Sequence, residues 1–239
     1  MAAIIDNYKD VLDFHRKKGA KNFGPFISVF SYPIAILVVA LVRKVKFVTP
    51  NFLTSLSLLS LVLGCYIIAF KPGYNWLLFS LIFFYASMIF DSCDGLLARI
   101  KNLKSNFGAF YDILSDQIGG GLLFIAVTYR LSFEYENIWM KGVLCVFVLQ
   151  VNGVADTLIN NYKKNAEIAK VLSEKGALFK KKNVFIKFLE KIISLVGSIF
   201  FMLFISVIIN EMYFFIISYT FCVLVIISKR IFSFYKSGL

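Results

Sequence analysis

Between Pro50 and Phe70 the chain runs for 21 residues without a charged side chain. A helix crossing a bilayer needs about 20 predominantly apolar residues. It suits lipid because it satisfies its own backbone hydrogen bonds. Five further largely apolar stretches follow, at roughly 75–99, 107–129, 138–160, 185–209 and 211–229. Lys71-Pro72-Gly73-Tyr74-Asn75 reads as a tight turn, 130–137 as a short polar loop, and Asn210-Glu211 as a break between the last two spans. Composition agrees: 59% of the 239 residues are hydrophobic and 17% charged. That is too little polar surface for a water-soluble domain of this size, and too much apolar content for a disordered chain. The expected fold class is all-α, a polytopic membrane helix bundle with six transmembrane helices.

Charge sets the expected orientation. Of the 26 Lys and Arg, 23 fall on one side of this topology: 8 before residue 50, 3 at 99–104, 7 at 163–182, 2 at the start of the fifth span and 3 at the C-terminus. Lys71, Arg130 and Lys141 fall on the other. Positive residues collect on the cytoplasmic side, so both termini are expected there. The same rule explains the net charge of +12 through loops that meet anionic headgroups, with no nucleic acid as partner.

Residues 26–42 are apolar enough to compete as a seventh span, but Pro33 interrupts them and Arg43, Lys44 and Lys46 follow at once. Spanning would also carry the five basic residues before Asn22 outside. The segment therefore reads as an amphipathic helix lying in the interface. This divides the chain into an N-terminal interfacial segment, 1–48, and a membrane domain, 49–239. Thr49-Pro50 starts the first span as an N-cap followed by proline at the first helical position. No secretory signal peptide is expected at the N-terminus. Cys65, Cys93, Cys145 and Cys222 are widely spaced and read as small apolar helix residues. His15, the single histidine, reads as a surface residue.

The acids carry the chemistry. Four of the 14 Asp and Glu are Asp91, Asp94, Asp112 and Asp116, at the facing ends of spans two and three. Carboxylates at membrane depth are expensive and face a polar interior. Asp91, Asp94, Gly95, Ala98 and Arg99 share one helical face, as do Gly108, Asp112 and Asp116. The eight residues 100–107 join the two helices near the surface, so both faces can converge on one cavity. Clustered carboxylates repel unless cations offset them, and oxygen-only ligation suits Mg²⁺ or Mn²⁺. Divalent metals in turn suit a phosphate substrate, onto which Arg99 can fork. A cation transporter is the competing reading, although it would place its acids nearer the midplane.

The stretch DSCDGLLARIKNLKSNFGAFYDILSD, residues 91–116, resembles the signature of the CDP-alcohol phosphatidyltransferases, D-x-x-D-G-x-x-A-R, about eight residues, then G-x-x-x-D-x-x-x-D. Asp91, Asp94, Gly95, Ala98, Arg99, Gly108, Asp112 and Asp116 fill all its fixed positions. TPNFLT, residues 49–54, is similar to the opening of that family's first span. The resemblance implies a membrane enzyme of phospholipid biosynthesis that joins a phospho-alcohol unit from a CDP-linked donor to a hydroxyl acceptor and releases CMP. It implies two metal ions on Asp91, Asp94 and Asp112, with Asp116 as a further ligand or the catalytic base. It implies donor contacts by Thr54, Gly95, Ala98, Arg99 and Gly108, an active site near the cytoplasmic face, and a homodimer. Two arrangements fit: CDP-diacylglycerol with a soluble alcohol, or a soluble CDP-alcohol with a lipid hydroxyl. FGAFYD and the chain's compact size look more like the first.

Weaker candidates remain. Asp156, flanked one turn away by Asn152 and Asn160, reads either as a wall of the acceptor pocket or as an interhelical hydrogen bond. The basic stretch 163–182 reads chiefly as a lipid-facing surface. Arg43, Lys44 and Lys46 lie near enough to the first span to contact phosphate. Gly119, Gly120 and Gly121 permit close helix packing, within the bundle or between subunits.

Overall fold

A computed structural model describes residues 8–13, 29–172 and 198–236, with side chains to position 159 in the fifth of the helices named below and to 232 in the last. Every element among these residues is an α-helix: α1 (Tyr32–Val42), α2 (Pro50–Phe70), α3 (Tyr74–Ile100), α4 (Asn106–Leu131), α5 (Ile138–Leu172), α6 (Ile199–Ile208) and α7 (Met212–Lys236). Residues 8–13 form a further helical stretch.

Five of these helices are long and apolar enough to cross a membrane: α2, α3, α4, α5 from Ile138 to Ile159, and α7 from Met212 to Phe232. Of the expected span 185–209, only the end that contains α6 lies within the described residues. The helix starts follow local chemistry. Thr49 Oγ1 accepts from the Phe52 backbone N–H at 3.2 Å, with Pro50 at the first helical position. Ser105 Oγ accepts from Gly108 N–H at 2.9 Å. Each satisfies one of the orphan donors of a helix N-terminus.

The 11 residues of α1 span about 16 Å at 1.5 Å per residue, roughly half the hydrocarbon core. The helix packs on α3 through Ala35, Ile36, Val39 and Ala40, all buried, and turns Ile34, Leu37 and Leu41 outward. Side chains fasten it to α3. The Ser31 and Ser92 hydroxyls lie 2.7 Å apart, and Arg99 Nη2 donates to the Tyr32 hydroxyl at 3.0 Å. Lys101 Nζ donates to the carbonyls of Val45 and Val48 in the connection to α2.

In the bundle α2 packs on α3 and α4, α4 on α5, and α7 on α5 and α6. Phe84, Phe124, Phe215 and Tyr219 fill the centre, where Phe124 stacks on Phe215 with ring centroids 5.2 Å apart. Lipid tails are as apolar as this core, so shape complementarity holds the helices together. A Cβ on Gly64 would stand 2.9 Å from the Phe84 ring, one on Gly119 2.9 Å from Leu61, and one on Gly120 2.7 Å from Leu149. The contacts of Gly119 and Gly120 are therefore made within the bundle. The outside is apolar: Ile82, Met140, Phe147 and Phe221 are all more than half exposed, as a lipid-facing surface requires.

The three cations at the end away from the acids are each engaged. Arg130 Nη1 donates to the carbonyls of Ile68 at 3.1 Å and Lys71 at 2.9 Å. Lys71 Nζ lies 5.7 Å from the centre of the Trp76 ring, and Lys141 Nζ bonds the Tyr213 hydroxyl.

Candidate active site

The four aspartates lie near the junction of α3 and α4, which residues 101–105 connect. Asp112 and Asp116 stand four positions apart, so they share a face of α4, and Asp91 meets them from α3. One carboxylate oxygen from each of Asp91, Asp112 and Asp116 lies within 4.8 Å of the others. Asp94 lines one cavity with Asp112. It is buried, and its Oδ2 accepts from the Thr54 hydroxyl of α2 at 2.5 Å.

Three cavities meet the trio. The first, about 290 Å³, is lined by Asn51, Thr54, Asp94, Gly95, Ala98, Arg99, Lys104, Gly108 and Asp112 among others. It gathers the five residues expected to contact the donor: Thr54, Gly95, Ala98, Arg99 and Gly108. A Cβ on Gly95 would approach only the Arg99 guanidinium, at 3.7 Å, so the strip beside the acids is open. A Cβ on Gly108 would crowd Ser105 Oγ at 3.1 Å and Asn51 Oδ1 at 3.2 Å. The second cavity, about 240 Å³, combines Asp91, Asp116, Ser57, Ser87, Ser115 and Gln117 with Leu58, Leu61, Leu123, Leu149 and Phe200. The third, about 400 Å³, is lined by Ile113, Asp116, Gln117, Asn152, Gly153, Asp156, Thr157 and Arg230.

The trio suits a hard divalent cation. Its donors are all carboxylate oxygens, they converge, and their like charges need a counter-ion at close range. None of the described cysteines takes part: Cys65, Cys93 and Cys145 are buried and Cys222 is half-buried, all as free thiols.

The family profile described as CDP-alcohol phosphatidyltransferase matches residues 47–227. The chain belongs to the CDP-alcohol phosphatidyltransferase family. It is 30% identical over 144 residues to a phosphatidylinositol phosphate synthase of Corynebacterium glutamicum, covering 59% of each chain. It is 31% identical over 106 residues to an uncharacterized protein of Aquifex aeolicus, covering 44% of this chain and 50% of that one. The chain thus spans less than two thirds of either relative. Membership and the five apolar helices make it an integral membrane protein of this family, which depends on divalent metal.

Around this candidate site, several side chains come from outside the signature. Tyr32 holds Arg99 from α1. Burial raises the Tyr32 phenol above its ordinary pKa, while the Arg99 guanidinium pulls it back, so the hydroxyl stays neutral and accepts the bond. Lys104 is the second cation of the first cavity. Arg43 instead pairs with Asp10 at 2.9 Å, and neither it nor Lys44 or Lys46 lines that cavity. Arg230 of α7 donates to Asn152 Oδ1 at 2.8 Å and pairs with Asp156 at 3.2 Å. Asp156 is thus both an interhelical tie and a cavity wall. His15, residues 173–182 and the side chains of Asn160 and of 163–172 fall outside the described residues.

Proposed function

We propose that the protein transfers a phosphatidyl group from CDP-diacylglycerol to the hydroxyl of a soluble alcohol, with release of CMP, at the cytoplasmic face of the membrane. One observation carries this reading: three cavities among the described residues are each bordered by a member of the Asp91–Asp112–Asp116 trio. A reaction that joins a nucleotide, a lipid and an alcohol needs such a meeting point.

The first cavity suits the CDP group. Gly95 and Ala98 leave room beside the backbone, and Arg99 and Lys104 oppose phosphate charge. The second has serine hydroxyls beside the acids and leucines beyond them, a gradient that suits the glycerol-ester end of a lipid. The third, with Arg230 and Asn152, suits a polar, soluble acceptor. This distribution favours the lipid on the donor.

Asp91, Asp112 and Asp116 would hold Mg²⁺ or Mn²⁺, two ions with Asp94 nearby. When bound, the metal neutralises charge that develops on the diphosphate. Asp116 borders both the second and third cavities. Its carboxylate takes the proton of the acceptor hydroxyl as that oxygen attacks the phosphorus bearing the lipid alcohol. The phosphorus–oxygen bond to CMP breaks, and CMP leaves past Arg99 and Lys104. The homodimer implied by the family signature belongs to this reading, and light scattering in detergent tests it.

The deciding experiment incubates purified protein with labelled CDP-diacylglycerol, Mg²⁺ or Mn²⁺ and a panel of alcohols, following CMP. Release that depends on a soluble alcohol supports the reading. Release only from CDP-choline or CDP-ethanolamine with diacylglycerol reverses the two substrates. Cation flux into liposomes without CMP release indicates a transporter.

A further inference from the structure

Gln117, the residue after the proposed base, has no role in the chemistry above, yet it borders both cavities that Asp116 borders. Its amide lies flat against Gly153 of α5. A Cβ on that glycine would stand 2.5 Å from Nε2, 2.9 Å from Cδ and 2.9 Å from Oε1. The side chain can occupy this position only because position 153 has none. The Gln117 backbone carbonyl faces Gln150 Nε2 at 3.5 Å, so α5 touches this turn of α4 at two points.

The Gln117 Oε1 atom is buried and has no hydrogen-bond partner among the described residues. A carbonyl oxygen can only accept, and buried acceptors in native proteins are nearly always satisfied. The missing partner must therefore bring an O–H or N–H. Protein cations nearby are committed, since Arg230 bonds Asn152 and Asp156. A CDP-linked lipid offers diphosphate oxygens and ester carbonyls toward the reaction centre, and these are acceptors. An alcohol bearing several hydroxyls offers the donor that Oε1 lacks.

We propose that Gln117, seated on Gly153, is a specificity-determining residue that accepts a hydrogen bond from a second hydroxyl of a polyhydroxy acceptor, beside the hydroxyl that Asp116 deprotonates. This inference rests on the transferase reading above and adds to it the class of alcohol. The acceptor is held at two oxygens, one reacting and one read. An alcohol with a single hydroxyl and no N–H leaves Oε1 unpaired and is disfavoured.

The test compares the wild type with Gln117→Leu, which keeps the bulk and removes the acceptor atom, and with Gly153→Ala, which pushes the amide off its seat. CMP release is followed with inositol phosphate and glycerol 3-phosphate as polyhydroxy probes and with serine and choline as single-hydroxyl probes, of which choline also carries no N–H. For a polyhydroxy probe that the wild type uses, both variants raise the acceptor KM about tenfold, while kcat and the KM for CDP-diacylglycerol stay within about twofold. The double variant is no worse than Gln117→Leu alone, because both changes remove one contact. Any wild-type preference for polyhydroxy probes over choline narrows. An unchanged acceptor KM in Gln117→Leu would mean that a water satisfies Oε1, and overturns the proposal. So would an equal rise in both substrates' KM, or a wild type that uses serine alone. A wild type that releases no CMP with any probe overturns the transferase reading itself, a result distinct from these.

Discussion

The Thr54 hydroxyl donates to Asp94 Oδ2 across 2.5 Å, joining α2 to α3 on the wall of the proposed nucleotide cavity. A hydrogen bond to a charged group is worth about 1.5–3 kcal/mol, and a buried oxygen stripped of its partner loses more than a neutral one. Thr54→Val keeps the shape and removes the hydroxyl. We expect the KM for the CDP donor to rise at least about tenfold with kcat nearly unchanged. A variant with wild-type donor KM would remove Thr54 from the donor site.

Asp91 and Asp116 belong to one trio, yet the proposed chemistry divides their roles. Chelation with EDTA should abolish CMP release, and added Mn²⁺ should restore it. Asp91→Asn should shift the Mn²⁺ titration to higher concentration. Asp116→Asn, at saturating Mn²⁺, should still bind the donor but turn over at least about a hundredfold more slowly, the lower bound for a positioned base. Full recovery of that variant by excess metal would leave Asp116 as a ligand only.

At the other end of the bundle, Arg130 donates from one nitrogen to two carbonyls at the end of α2. Arg130→Ala frees both acceptors in a partly buried place. Two lost bonds of about 1 kcal/mol each should lower the Tm of the detergent-solubilised protein by several degrees. Turnover per folded molecule should survive, because Arg130 borders none of the three cavities at the acid end. A simultaneous loss of kcat would link the two ends of the bundle.

Orientation can be read by labelling. Phe133, 74% exposed in the turn after α4, is expected on the outer side. A cysteine there should react with a membrane-impermeant maleimide on intact cells, while a reporter fused after Leu239 reads cytoplasmic. Reaction only after lysis would invert the bundle.

The features legible in the sequence were those set within one helix. The apolar runs gave α2 through α5 and α7, and Thr49-Pro50 marked the start of α2 because capping is a matter of neighbours. The four-residue spacing of Asp112 and Asp116 placed them together by helical geometry alone. Contacts between distant helices were hidden. Thr54 and Asp94 are 40 residues apart, Tyr32 and Arg99 67, and Asn152 and Arg230 78. Such pairs depend on how each helix is rotated about its axis, which no local period encodes. For the same reason the partner of Asp94 was hidden: Asp91 meets Asp112 and Asp116, and Asp94, three residues on, also accepts from Thr54. The orphaned oxygen of Gln117 likewise emerges only once Gly153 is set beside it.

Gly119 and Gly120 follow Asp116 within a turn of α4 and abut Leu61 and Leu149. Their effect reaches beyond packing to how such a sequence can drift. A methyl group at either position cannot be absorbed by α4 moving away, since that would carry Asp116 off its partners. It must be absorbed on the other side, by the leucine side chain swinging aside or by a smaller residue there. Substitutions at 119 and 61, and at 120 and 149, are thus tied in pairs, so a change at one member is better tolerated once its counterpart has changed. Among descendants of this protein, the volume at each glycine and at its leucine should vary in opposite senses.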